Sequence, residues 1–130
     1  MHLVYQAFNP KEPLTYFVNI KLGKDIERDL WTLKSFFRCY ALLCDKSIDR
    51  IVFGSSKKDL PCMSRILMSY ENGKLKIICL LQDKKVCDSI YQLVVKALNK
   101  VSNNDAIDWK AVREILKECS GSKRNYFCSD

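Results

Sequence analysis

Apolar residues change their period several times along the chain, and each change marks an element. Leu14 to Lys21 is rich in β-branched and aromatic residues, and Tyr16, Val18 and Ile20 fall on one face at a period of two, which predicts a strand. Gly23 breaks that alternation. From Asp25 onward Ile26, Leu30, Leu33, Phe37, Tyr40 and Cys44 recur at steps of four and three, the spacing of one face of a long helix. Trp31, Phe36, Leu42 and Leu43 lie off this stripe, so the helix is apolar over more than half its circumference towards its C-terminal end. A helix of that kind touches two layers and is expected at the centre of the domain.

Three strands are expected next. Ile48 to Phe53 is a short apolar run followed by the polar loop Gly54 to Pro61. Cys62 to Tyr70 and Lys74 to Leu81 then flank Glu71-Asn72-Gly73, and Asn-Gly between two strand-like runs predicts a hairpin, because a type I′ turn needs positive φ at both central residues. In the second of these runs Lys74 and Lys76 alternate with Leu75, Ile77 and Cys79, lysines on one face and core on the other. Val86, Ile90, Leu93, Val94, Ala97 and Val101 repeat at helical spacing behind Asp83, a residue suited to capping the first turn. Ser102 to Asp105 ends that helix. Asp108 reads as the cap of a short terminal helix with the stripe Trp109, Val112, Leu116, and Ile107 and Val112 are placed as a hydrophobic staple around it.

The chain start, Met1 to Phe8, reads as an early strand and lacks the basic, then apolar pattern of a secretory signal. Residues 121–130 read as a C-terminal tail, leaving 1–120 as a single domain. The resulting order, β-α-β-β-β-α-α, predicts an α+β two-layer sandwich: an antiparallel sheet with helices on one face. Its α-β-β-β-α middle resembles the order of elements in a double-stranded-RNA-binding domain and part of that in some nuclease cores. Shared order on a common architecture carries no function by itself.

Composition narrows the class. With 48% hydrophobic and 28% charged residues in 130, the chain has the balance of an ordinary globular domain. Its apolar runs are far shorter than the roughly 18 to 20 residues of a transmembrane helix, so no membrane partner is expected. Seven cysteines, Cys39, Cys44, Cys62, Cys79, Cys87, Cys119 and Cys128, are an odd number, contain no Cys-x-x-Cys pair, and sit mostly inside apolar patterns. They read as free thiols serving as small buried hydrophobes in a reducing cytoplasm, with neither a metal site nor a cofactor implied.

The formal charge of +7 is concentrated around the hairpin and the helix after it. Lys57, Lys58, Arg65, Lys74, Lys76, Lys84 and Lys85 are the residues of a candidate basic surface for a phosphate backbone or an acidic protein. The Gly54-Ser55-Ser56-Lys57-Lys58 loop lacks Walker spacing, and Asp83-Lys84-Lys85 reads as a cap with a solvated first turn. Catalytic signals are weaker still. His2 is the sole histidine, so a Cys-His nucleophile has no base in the sequence patterns, and Asp45, Asp49, Asp59, Glu71 and Asp83 show no diagnostic spacing for a metal-dependent hydrolase.

The remaining feature is a surplus of large apolar residues. Trp31 and Phe36 off the helix stripe, with Trp109 and Leu116 on the terminal helix, are the candidate partner-binding residues. The expectation is therefore a non-catalytic intracellular binding or regulatory module whose partner is another protein or a second copy of itself. Nucleic-acid binding is the alternative and metal-dependent hydrolysis the second alternative. The terminal helix is expected to pack on its own domain, because the connection before it is short.

Overall fold

The computed structural model describes residues 13–48 and 66–120. The first strand, β1 (Leu14–Asn19), leads through a short connection to α1 (Ile26–Cys44) and a single helical turn, α2 (Lys46–Ile48). A hairpin of β2 (Ile66–Glu71) and β3 (Lys74–Cys79) follows, then α3 (Lys84–Val101). The chain continues through a miniature hairpin, β4 (Ser102–Asn103) and β5 (Ala106–Ile107), into α4 (Trp109–Ser120). The fold is mixed α+β, as its patterning predicts.

The main sheet is antiparallel with the order β1-β3-β2, so the last strand of the three lies in the middle. The Asn72-Gly73 turn has φ of 54° and 75°, the positive values that a tight hairpin demands. Tyr16, Leu75 and Ile77, with Ile66, Met68 and Tyr70 of β2, face the helices. The alternation of β1 runs one residue past the strand, where Ile20 is buried.

Capping residues set the helix starts. Asp25 accepts a hydrogen bond from the Arg28 amide at 3.1 Å, Asp83 from the Lys85 amide at 2.9 Å, and Asp108 from the Lys110 amide at 3.1 Å, each satisfying a donor that the first turn leaves unpaired. Helix α1 is central. It packs against α3, α4 and β2, and its buried residues include Leu33, Phe36, Phe37 and Ala41. Cys44, at the end of the predicted stripe, is exposed.

Backbone donors after β1 are placed one by one. The Ile20 amide donates to the Gly73 carbonyl, Lys21 to the Asp105 carbonyl at 2.8 Å, Leu22 to the Tyr70 hydroxyl, and Gly23 to the buried Asp29 carboxylate at 2.8 Å. The Tyr70 hydroxyl in turn donates to the Ile20 carbonyl at 3.0 Å. Non-helical backbone leaving a sheet needs such partners, and here they come from both hairpin turns, from β2 and from α1. The Asn104-Asp105 turn, with φ of 55° and 72°, exists to reach this connection.

Three expectations are corrected. Cys39 is joined to Cys119, tying α1 to α4 across 80 positions, and Cys79 to Cys87, tying β3 to the first turn of α3 across 8. These four cysteines are bonded, not free thiols. Burial inside apolar patterns suits a disulfide as well as a thiol, which is why the patterning read them as hydrophobes. Ile48 also belongs to the helical turn α2 rather than to a strand, because the Asp45 carboxylate caps that turn through the Ile48 amide. The rest of the expected strand to Phe53, the early strand at residues 1–8, and the tail at 121–130 lie outside the described residues. Between α3 and α4 the structure adds the β4–β5 hairpin that the order β-α-β-β-β-α-α omits. Helix α4 packs on α1 and α3 of its own chain, as the short connection implies.

Candidate functional site

The apolar residues singled out from the sequence do not share a surface. Phe36 is 0% exposed and belongs to the core, with its ring 5.6 Å from that of Phe37. Trp109 and Leu116 are partly buried against the same core. Trp31 alone is open, 42% exposed on α1 with the Lys34 ammonium 5.9 Å from its ring. Of the off-stripe residues of α1, Phe36 enters the core while Trp31 and Leu43 stay exposed.

The basic residues divide likewise. Lys74 and Lys76 lie on the sheet face turned away from the helices. Lys84 and Lys85 are at the start of α3, beside the other end of β3, about 17 Å of strand away from Lys74. Lys84 is also engaged, 3.1 Å from the Asp88 carboxylate. Lys57, Lys58 and Arg65 lie outside the described residues. The acids considered for catalysis have structural partners where they are described: Asp45 and Asp83 cap helical turns, and Glu71 pairs with Lys76 at 3.6 Å. Among the described residues no group of three or more His, Cys, Asp or Glu is placed to hold a metal ion.

One cluster of titratable groups does form, and it fastens β1 to α3. The Tyr16 hydroxyl donates to Asp88 at 2.5 Å while its ring stacks on Tyr91 at 4.8 Å. Burial, and then the bond to Asp88, holds the Tyr16 phenol well above its ordinary range. The same bond, assisted by Lys84 and opposed by partial burial, holds the Asp88 carboxyl below its usual value. Tyr16, Asp88 and Lys84 are bonded to one another, which is the arrangement of a tie between elements.

The surface that stands out is the outer face of the sheet. Thr15, Phe17, Asn19, Leu67, Ser69 and Lys74 are all exposed there. The register sets them in rows: Thr15, Ile78 and Leu67 side by side, then Phe17, Lys76 and Ser69, then Asn19, Lys74 and Glu71 at the hairpin end. Phe17 is 49% and Leu67 46% exposed, and Leu80, one step past β3 in the same alternation, is 44% exposed. Apolar groups gather at one end and lysines run down the central strand towards the other. The signal was present in the sequence, since a strand that buries Tyr16 and Val18 must turn Phe17 outward. In comparisons with family models, curated proteins and solved structures, nothing matches the chain.

Proposed function

We propose that this chain is a non-catalytic protein-binding module that docks its partner on the outer face of the sheet, and that it works in an oxidising compartment. The observation that carries the docking reading is Ile78 beside Leu67, with Phe17 one row along on the other edge strand, on a face where Phe17 and Leu67 remain half in water. Fully burying a side chain of that size is worth about 1.5–3 kcal/mol, so a partner covering two half-exposed ones recovers a comparable amount. Exposed apolar surface rimmed by polar groups is the usual mark of an interaction site.

Two disulfides, one of them closing a span of 80 positions, support an oxidising environment over the cytoplasm expected from the sequence, where thiols are kept reduced. Among the described residues no helix is long and apolar enough to cross a membrane. Nucleic-acid binding receives less support, because the described lysines sit at opposite ends of β3 instead of converging.

The test uses oxidised protein, wild type and the double variant Phe17→Ser, Leu67→Ser. Light scattering after size exclusion fixes the oligomeric state, and co-purification from the secretory fraction of the native cell reads the partner. The expected result is a protein partner retained by wild type and lost by a variant that still melts cooperatively. A partner retained equally by both, or a steep, salt-sensitive gel shift with duplex RNA, overturns the reading.

A further inference from the structure

We infer that the outer sheet face selects an acidic partner segment, one that presents an aliphatic side chain and a carboxylate about 7 Å apart on the same side. This rests on the docking reading above and adds the partner's chemistry to it.

The argument is one of charge placed beside apolar surface. On the three rows of the face the cations are Lys74 and Lys76 and the sole acid is Glu71, whose carboxylate lies 3.6 Å from Lys76. That leaves the ammonium of Lys74 in excess, held 6.0 Å from the centroid of the Phe17 ring. The apolar row of Ile78 and Leu67 and the row of Lys76 and Phe17 are two residues apart along the strands, about 7 Å at 3.3 Å per residue. An extended segment presents its residues i and i+2 on one side at this same spacing. Leucine followed two positions later by glutamate therefore seats its aliphatic group on Ile78 and Leu67 and its carboxylate against the lysines. The whole chain carries +7, so its long-range field favours the same partner and opposes a second copy of itself.

The probe is a labelled synthetic peptide of three Leu-Ser-Glu-Ser repeats, read by fluorescence anisotropy against the oxidised full-length protein at low and high salt. Two controls replace every glutamate by glutamine or every leucine by serine. The expected result is binding at least tenfold tighter for the acidic peptide than for either control, weakening as salt rises. Lys74→Gln with Lys76→Gln is expected to remove the advantage over the glutamine peptide. Phe17→Ser is expected to weaken the acidic peptide while circular dichroism stays that of the folded protein.

Equal binding of the glutamate and glutamine peptides, both lost in Phe17→Ser, leaves the docking face standing and overturns the acidic partner. Binding of neither peptide, together with full retention of the native partner by Phe17→Ser, overturns both readings. Binding confined to vesicles of equimolar phosphatidylcholine and phosphatidylserine overturns the inference in favour of an anionic membrane surface, and a concentration-dependent dimer overturns it in favour of self-association.

Discussion

Tyr16 shows how much a single side chain carries here. Its ring stacks on Tyr91, its hydroxyl reaches Asp88, and the position therefore joins the first strand to a helix 72 residues further along the chain. The bond lowers the proton affinity of Asp88, while burial and then the bond raise that of Tyr16, with opposite consequences for stability. A carboxyl depressed in the folded state contributes above its unfolded value, and that contribution fades as pH falls through the folded one. A phenol raised in the folded state contributes fully below about pH 10, and that contribution fades as pH rises beyond it. Tyr16→Phe keeps the stacked ring and removes only the hydroxyl. It should cost about 1 kcal/mol near neutral pH, less than the roughly 1.5–3 kcal/mol of a bond to a charged group, because Asp88 is half exposed and solvent screens the bond. Urea unfolding across the pH range should show both limbs flatter in the variant. Identical pH dependence in the two proteins would remove the tie from the account.

At the scale of elements, the β2–β3 hairpin is the plainest case of structure written in sequence. Only Asn-Gly joins two alternating runs there, and Gly73 takes φ of 75°. A Cβ at Gly73 would meet nothing within 4 Å, so Gly73→Ala carries no clash and isolates the backbone term. The expected loss is about 1 kcal/mol, seen as a lower urea midpoint at unchanged slope. A neutral result would mean that the turn changes type. The caps Asp25, Asp83 and Asp108 were legible for a similar reason, each being a local signal ahead of a periodic run. The second turn, Asn104-Asp105, was not. Strands of two residues show no alternation to read, and their role is to place the Asp105 carbonyl against the Lys21 amide, a contact between distant segments. Periodicity did not place Phe36: it measures one buried stripe, and a helix enclosed by a sheet on one side and α4 on another has no single stripe. Phe36 was lost to the core for this reason, while the outward parity of Phe17 was available in the alternation of β1.

At the scale of the whole molecule, the two disulfides add covalent ties between elements that already meet in the core, all four cysteines being buried. Cys39–Cys119 secures α4, whose stripe covers one side of α1, and Cys79–Cys87 secures the start of α3 at the end of β3. Chain-entropy arguments give about 4.5 kcal/mol for closing the span of 80 and about 2.5 kcal/mol for the span of 8. Cys39→Ala with Cys119→Ala should therefore destabilise the protein more than Cys79→Ala with Cys87→Ala; a reversed order in denaturant unfolding would contradict that ranking. This layer of the design was hidden in the sequence, because pairing is decided by which apolar positions meet in space. Stapled in this way, the scaffold holds the outer sheet face to solvent, and the proposed protein partner lies on that face. Site-specific photo-crosslinking tests this most directly: a benzoylphenylalanine at position 17 or 67, with controls at Trp31 and at Gln92 on the exposed side of α3, irradiated in the compartment where the chain resides. Adducts to one protein are expected from positions 17 and 67 and none from 31 or 92; adducts from 31 or 92 with none from the sheet place the partner elsewhere.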